Sequence, residues 1–254
     1  MRYAICTVPA AAVRKDDAHR SEMVNQLLFG EVMEILEEKG DWLRIRSIYD
    51  DYEGWLTNHL VTDAEQDIAK APLQYVTEGL INNIQFKEQL LIVPMGSTLP
   101  GFNEHTTLFW NGEFKGPFRR VANTFEISEL INTAEEWLNV PYLWGGKTLM
   151  GVDCSGFVQT VFKLYDIHLK RDAYLQAEQG KAIELKDAET GDVAFFNNEK
   201  GRITHVGIMM NSDQIIHASG KVRIDGMSEK GIVNSENGKK THAFHSLRRM
   251  SRGM

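Results

Sequence analysis

Two cysteines, six prolines and no long apolar run in 254 residues exclude several kinds of protein before any motif is considered. Cys6 and Cys154 cannot build a disulfide framework, the device by which small secreted domains offset a thin core, and a reducing compartment suits them. No Cys-x-x-Cys or His-Glu-x-x-His spacing occurs, so neither a zinc site nor any other metal is expected. Met1 to Pro9 holds one basic residue but lacks the apolar stretch of roughly 7 to 15 residues that a secretory signal needs. No window approaches the ~20 apolar residues of a membrane span. A cytoplasmic protein with no membrane partner is expected, or a periplasmic one if a leader preceded residue 1. Positive charge is scarce where negative charge collects: residues 1–123 carry 12 Lys and Arg against 18 Asp and Glu, and residues 124–254 carry 16 against 17. The net charge of −7 repels a phosphate backbone, so nucleic acid is not an expected partner, whereas an amine-bearing ligand suits such a surface.

What is present is a chain with 43% hydrophobic residues, enough for more than one core. The runs 31–36, 42–48 and 53–56 have β character, the middle one alternating apolar and polar, and the turn clusters 38–41 and Asp50-Asp51 separate them. A small antiparallel barrel over residues 1–65 follows. A second set of similar pattern over 66–123 includes Leu90 to Val93, the turn Pro94-Met95-Gly96, Thr98 to Phe102 and Leu108-Phe109-Trp110, with Gly112, Gly116 and Pro117 as punctuation. It predicts a second barrel. From Ser128, a candidate N-cap followed by Glu129, the apolar period becomes helical through Leu130, Ile131, Ala134, Trp137 and Leu138. Strands resume near 192–196, 205–210 and 214–218, so residues 124–254 read as an α+β domain.

Cys154 stands where the irregular Gly151-Val152-Asp153 stretch turns into the helical pattern of Phe157, Val158, Val161, Phe162 and Leu164. Unpaired N–H groups and the positive end of the helix dipole favour thiolate there, so a lowered pKa is expected. A nucleophilic thiol needs a base, and the base needs an orienting group. His205 begins one predicted strand and His217 ends the next across the short turn Asn211-Ser212-Asp213, so both imidazoles can meet at one sheet edge. Cys154, His205 and His217 form a candidate Cys-His-His triad. Singly, each would be an ordinary buried thiol or an incidental polar residue; Cys6, His19, His59, His105, His168, His242 and His245 lack such a setting and read as structural or surface residues. Gly145-Gly146-Lys147-Thr148 is no phosphate loop, because Pro141 stands where the first glycine would be needed.

Pro141-Tyr142-Leu143-Trp144-Gly145-Gly146, Asp153-Cys154-Ser155-Gly156, Arg171-Asp172, Gly191-Asp192-Val193, His205-Val206-Gly207-Ile208 and Ile216-His217-Ala218 together resemble the NlpC/P60 family of papain-like cell-wall cysteine peptidases. Val13-Arg14, residues 26–31, Gly40-Asp41-Trp42 and Glu53-Gly54-Trp55 resemble bacterial SH3 (SH3b) domains. The resemblance implies two small all-β SH3b barrels, at 1–65 and 66–123, ahead of a papain-like α+β catalytic domain at 124–254. The order is similar to that of γ-D-glutamyl-L-diamino-acid endopeptidases of the YkfC type, which cut murein peptides carrying a free N-terminal L-Ala. By that resemblance Cys154 attacks the γ-glutamyl carbonyl, His205 is the base and later the acid, and His217 orients it. Tyr142 sits near the oxyanion, a position where a donor is worth several kcal/mol. Asp153 and Ser155 hold the L-Ala-D-Glu end, Trp144 shapes the pocket, and Asp172 binds the free amine. Ala173 replaces a serine frequent in the family, which removes one substrate hydrogen bond. An acidic SH3b residue is expected to close the pocket and recognise the amine, with Glu53 as candidate. No cofactor is implied. The alternatives are a murein-binding SH3b scaffold with a degenerate peptidase domain, and an amidase or acyltransferase on the same fold.

Overall fold

The computed structural model describes residues 1–86, 88–100, 102, 106–107, 112–115, 117–121 and 124–251. The chain divides into two compact units, one of residues 1–123 with 144–149 and one of residues 124–143 with 150–254.

In the first unit, β1 (Arg2–Cys6), β2 (Ala10–Arg14), β3 (Met23–Leu28), β4 (Val32–Lys39), β5 (Trp42–Ser47), β6 (Glu53–Thr57) and β7 (Val61–Ala64) make one sheet in the order β3-β2-β6-β5-β4-β1-β7. The predicted alternation sets the buried face of β5: Leu43, Ile45 and Ser47 point inward while Arg44 stays exposed. Ala4, Cys6, Ala11, Val13, Leu27, Met33, Leu43, Ile45 and Leu56 are the core of this sheet. Cys6 is one of them, and burial pushes its thiol up to about 12, which makes it inert.

The short helix α1 (Gln66–Ala69) leads to β8 (Tyr75–Thr77), β9 (Ile81–Phe86), β10 (Gln89–Pro94), β11 (Thr106–Thr107), β12 (Gly112–Lys115) and β13 (Phe118–Arg120). They form a sheet ordered β10-β9-β12-β11 and a separate β13-β8 pair. The expected strand at Leu108-Phe109-Trp110, together with Gly101 and Gly116, lies outside the described residues. This second strand set is not a body apart from the first. Phe29, from the turn after β3, joins Ile84, Phe86, Val93, Leu99 and Phe102 in one cluster, and the Phe29 carbonyl accepts the Thr98 N–H at 2.9 Å. Gly30, at φ +80°, permits that approach, since a Cβ there would lie 2.0 Å from the Thr98 carbonyl oxygen.

The strand β14 (Lys147–Thr148) also belongs to the first unit, although its sequence lies within the stretch expected to be catalytic. Lys147 is buried there with its ammonium 3.4 Å from the buried Glu31 carboxylate, and its backbone N–H donates to Gln26 at 2.8 Å.

The second unit starts with α2 (Ile127–Glu136), whose N-cap is Glu126; Ser128, the expected cap, lies inside the first turn. After β15 (Gly151–Val152) come α3 (Cys154–Lys163) and α4 (Ala173–Gln176), then β16 (Lys181–Ile183), β17 (Val193–Asn197), β18 (Ile203–Met209), β19 (Gln214–Ser219), β20 (Lys221–Ser228), β21 (Gly231–Val233) and β22 (Lys240–Arg249). The sheet order is β16-β22-β17-β18-β19-β20-β21, and an added β21–β22 pairing returns the ladder to β22. Both faces are covered, which is why β17 to β19 read as near-continuous apolar runs. Val193, Phe195, Val206, Ile208 and Ile216 are buried on one face, and Ala194, Phe196, Met209 and Ile215 on the other. Every residue of α3 is buried, and the helix packs against β18 and β19.

Candidate active site

Cys154 is the first residue of α3, as the sequence pattern predicts, and Asp153 is its N-cap, accepting the Gly156 N–H at 2.7 Å. The same carboxylate is gripped by Arg171, whose Nη1 and Nη2 stand 3.0 and 2.6 Å from its two oxygens, while Nη1 also donates to Ser155 Oγ at 2.9 Å. Arg171 and Asp153 are both buried, so the pair is charge-assisted, two-pronged and shielded from water. From α4, Gln176 donates to the Ser155 carbonyl at 3.1 Å. Asp153 and Ser155, expected at the substrate, are thus tied to the helix start and to Arg171.

The Cys154 sulfur lies 4.0 Å from the Thr204 carbonyl oxygen and also meets the Val206 N–H, the two backbone groups that flank His205. Between the pairs Phe196↔His205 and Asn197↔Ile203 the register gains one residue on β18, a bulge at Thr204 that re-aims its neighbours. The expected lowering of the Cys154 pKa is not what this setting produces. Burial pushes the thiol up to about 12, with the Asp153 charge adding to the rise, and this outweighs the Val206 and Ser155 N–H groups and the Arg171 charge. The resting group is a neutral thiol.

His205 and His217 are brought together: Nε2 of the first and Nδ1 of the second are 2.8 Å apart, with the rings nearly perpendicular at 85°. They are not directly opposite in the ladder, because His217 faces Gly207, and the two rings meet along the diagonal. Gly207 makes that lean possible. A Cβ there would fall 2.8 Å from the His217 Cβ and 2.8 Å from Ile215 Cδ1. Burial holds His205 well below the usual imidazole range, helped by His217 and His242, so it is a neutral base.

Three participants were not assigned from sequence. His242, expected to be incidental, stacks on His205 with centroids 4.0 Å apart and planes 20° from parallel. Asp225 on β20 lies 3.1 Å from His217 Nε2. Arg171 is the clamp just described. Its signal was the Arg171-Asp172 dipeptide itself, whereas nothing local distinguishes Asp225 or His242 in their strands.

Tyr142 is placed beside the nucleophile by backbone pairing. It forms a parallel bridge with Val152, the Leu143 N–H donates to the Val152 carbonyl at 3.1 Å, and the Tyr142 N–H donates to the Gly220 carbonyl at 2.9 Å. Its phenol is raised by burial and by the nearby Cys154 and Asp153, so it remains a hydroxyl donor. Asp172 occupies the N-cap position of α4 without a side-chain cap bond, is half-buried and meets the Tyr174 hydroxyl. Trp144 belongs to the first unit and is 57% exposed. Glu53 is the first residue of β6, within the run expected to be a strand, and pairs with Arg46 at 2.7 Å and Arg44 at 2.8 Å across the ladder. Those guanidinium groups, Arg46 first, hold its carboxyl below the usual range. Its charge is balanced by these two neighbours on the exposed side of the sheet, which does not favour amine recognition. Of the remaining histidines, His19 packs on Trp42, His59, His168 and His245 are exposed, and His105 lies outside the described residues.

The NlpC/P60 family model matches residues 139–239, and the bacterial dipeptidyl-peptidase SH3 domain model matches residues 13–59. A γ-D-glutamyl-L-lysine dipeptidyl-peptidase of Bacillus subtilis is 32% identical over 76% of this chain and 71% of its own. A protein of the same name from Bacillus cereus is 28% identical over 78% of this chain and 68% of its own. A crystal structure of an NlpC/P60 family protein from Bacillus cereus shares the fold, with a TM-score of 0.81, 21% identity, and coverage of 97% of this chain and 99% of that one. The chain belongs to the NlpC/P60 family, and its NlpC/P60 region follows a bacterial SH3 domain.

Proposed function

We propose that this protein is a cysteine endopeptidase that hydrolyses the γ-D-glutamyl–diamino acid bond of murein peptides with a free N-terminal L-Ala, releasing L-Ala-D-Glu for recycling. The observation that carries it is the 2.8 Å His205–His217 contact on the strand whose backbone touches the Cys154 sulfur. The Bacillus relatives, named for γ-D-glutamyl-L-lysine cleavage, supply the substrate class. His205 takes the thiol proton as Cys154 Sγ attacks the γ-carbonyl, so a high thiol pKa is no obstacle: charge develops only as the new bond forms. The oxyanion is met by the Cys154 backbone N–H at the helix start and by the Tyr142 hydroxyl, donors that act where water is excluded. His205 then protonates the leaving amine, and water hydrolyses the thioester with His205 again as base. Asp172 is the group proposed to bind the substrate's ammonium. Residues 66–123 are proposed to be a second SH3-like module, and the cytoplasm to be the site of action.

Mass spectrometry of products from L-Ala-γ-D-Glu-L-Lys and its meso-diaminopimelate analogue, each with and without an N-acetyl group, tests the proposal. Release of L-Ala-D-Glu from the free peptides only is expected. Cleavage elsewhere, or equal cleavage of the acetylated peptides, contradicts it.

A further inference from the structure

We propose that Asp225 is a positioning residue that fixes the tautomer of His217 and, through it, that of His205, so that the one free ring nitrogen of His205 can receive the Cys154 proton. The proposal presupposes the peptidase role given above for the three side chains, and adds a fourth that acts on them in series.

The polar row crosses three adjacent strands by equal steps. In the ladder His217 faces Gly207 and Asp225 faces Ile215, so the contacts from His205 to His217 and from His217 to Asp225 are both diagonals on one face of the sheet. His217 and Asp225 are fully buried and His205 nearly so, and both ring nitrogens of His217 find their partners within the row. The Asp225 carboxylate has two unlike oxygens. Oδ1 accepts from the Ser235 N–H at 2.9 Å, the Ser235 hydroxyl at 2.9 Å and Arg223 Nη2 at 3.0 Å. Oδ2 accepts from His217 Nε2 at 3.1 Å and faces Arg223 Nε at 2.9 Å. Burial would raise this carboxyl, but the bonds from His217, Ser235 and Arg223 together hold it well below the usual range, so it is an acceptor only.

The tautomers follow by elimination. In the neutral ring, a carboxylate at Nε2 requires His217 to carry its one proton there, so His217 Nδ1 bears a lone pair. His205 Nε2, 2.8 Å away, must then be the donor. That leaves His205 Nδ1 as lone pair in the neutral ring and as N–H in the imidazolium. In both states the His205–His217 bond is preserved, and only Nδ1 changes during proton transfer with Cys154. His242, stacked on the other side of His205, holds the ring plane without competing for either nitrogen, its own Nδ1 being bonded to the Thr241 hydroxyl at 2.9 Å.

Asp225→Asn tests the relay because the three donors around Oδ1 dictate how an amide sits. The amide oxygen keeps their place, which turns the NH2 toward His217 Nε2. His217 then carries its proton on Nδ1 and donates to His205 Nε2, and His205 presents an N–H to the thiol. We expect kcat to fall by about 10³- to 10⁴-fold, the scale of the same exchange in a serine-protease triad, with KM changed by less than about twofold. In ¹⁵N-histidine NMR, wild-type His217 should show protonated Nε2 and unprotonated Nδ1, and the two should exchange roles in the variant. Wild-type His217 protonated at Nδ1 overturns the proposal, as does loss of kcat in a folded variant with wild-type tautomers. The wild-type spectra decide the matter even if the variant does not fold. They do so equally if no murein peptide is cleaved, which would defeat the proposed function and leave the tautomer assignment standing.

Discussion

Replacing Gly207 by alanine probes the geometry of the histidine pair by adding a single methyl group. The new Cβ would meet the His217 Cβ at 2.8 Å, Ile215 Cδ1 at 2.8 Å and Ile215 Cγ1 at 2.9 Å. The Ile215 methyl can rotate away, but the His217 Cβ is fixed to the backbone of a central strand, so relief requires the two strands to part by about 0.6 Å, from 2.8 Å to an ordinary 3.4 Å contact. Overpacking of this kind costs roughly 1–3 kcal/mol. For a chain of this length that corresponds to about 2–12 °C in Tm. The larger effect falls on catalysis. Moving His217 by that distance lengthens its 2.8 Å bond to His205 and loosens the orientation of the base, and a misplacement approaching 1 Å is worth about 10²-fold in rate. Differential scanning calorimetry reads the first quantity, and kcat for L-Ala-D-Glu release reads the second. A Gly207→Ala protein with kcat within twofold of wild type would refute the argument that this glycine exists to let the two imidazoles meet.

Three further outcomes follow from the buried charges. Arg171→Met strands the Asp153 carboxylate in the interior, a loss of about 3–5 kcal/mol and roughly 6–20 °C in Tm, measurable by calorimetry; a shift of less than 2 °C would mean that the pair is not shielded as described. His242 is lowered to about 4, first by burial and then by His217, from the ordinary imidazole value. The unfolded chain therefore binds this proton more readily, so wild type should lose stability as pH falls from about 6.5 toward 4, and His242→Phe should lose less; equal slopes in both would contradict the burial. Because His205 is held neutral and the Cys154 thiol lies near 12, kcat/KM should show its acid limb well below pH 6.5 and alkylation by iodoacetamide should be slow at pH 7. Rapid alkylation there would indicate a preformed thiolate.

Much of the site was legible because its signals are local. Gly151-Val152-Asp153-Cys154 followed by an apolar helical period places a thiol at a helix start, which is found, whereas the N-cap role of Asp153 emerges only from the structure. His205 and His217 lie on consecutive strands across a short turn, so their meeting needs only one hairpin. The remainder depends on long-range packing. His242 reaches His205 because β22 pairs with β17, an encounter nothing near residue 242 announces. Asp225 joins through a register that sequence does not print, and Lys147 pairs with Glu31, 116 residues earlier in the chain, within the first unit. The thiol pKa shows the same division: the helix start is local and favours thiolate, while burial is tertiary and prevails.

The most direct measurement is intact-protein mass spectrometry of the enzyme quenched in acid during turnover of L-Ala-γ-D-Glu-L-Lys, beside the Cys154→Ala variant. An adduct of L-Ala-D-Glu mass less one water, mapping to Cys154 and absent from a variant that releases no product, is the expected result. Undiminished product release by Cys154→Ala would contradict nucleophilic attack by this sulfur.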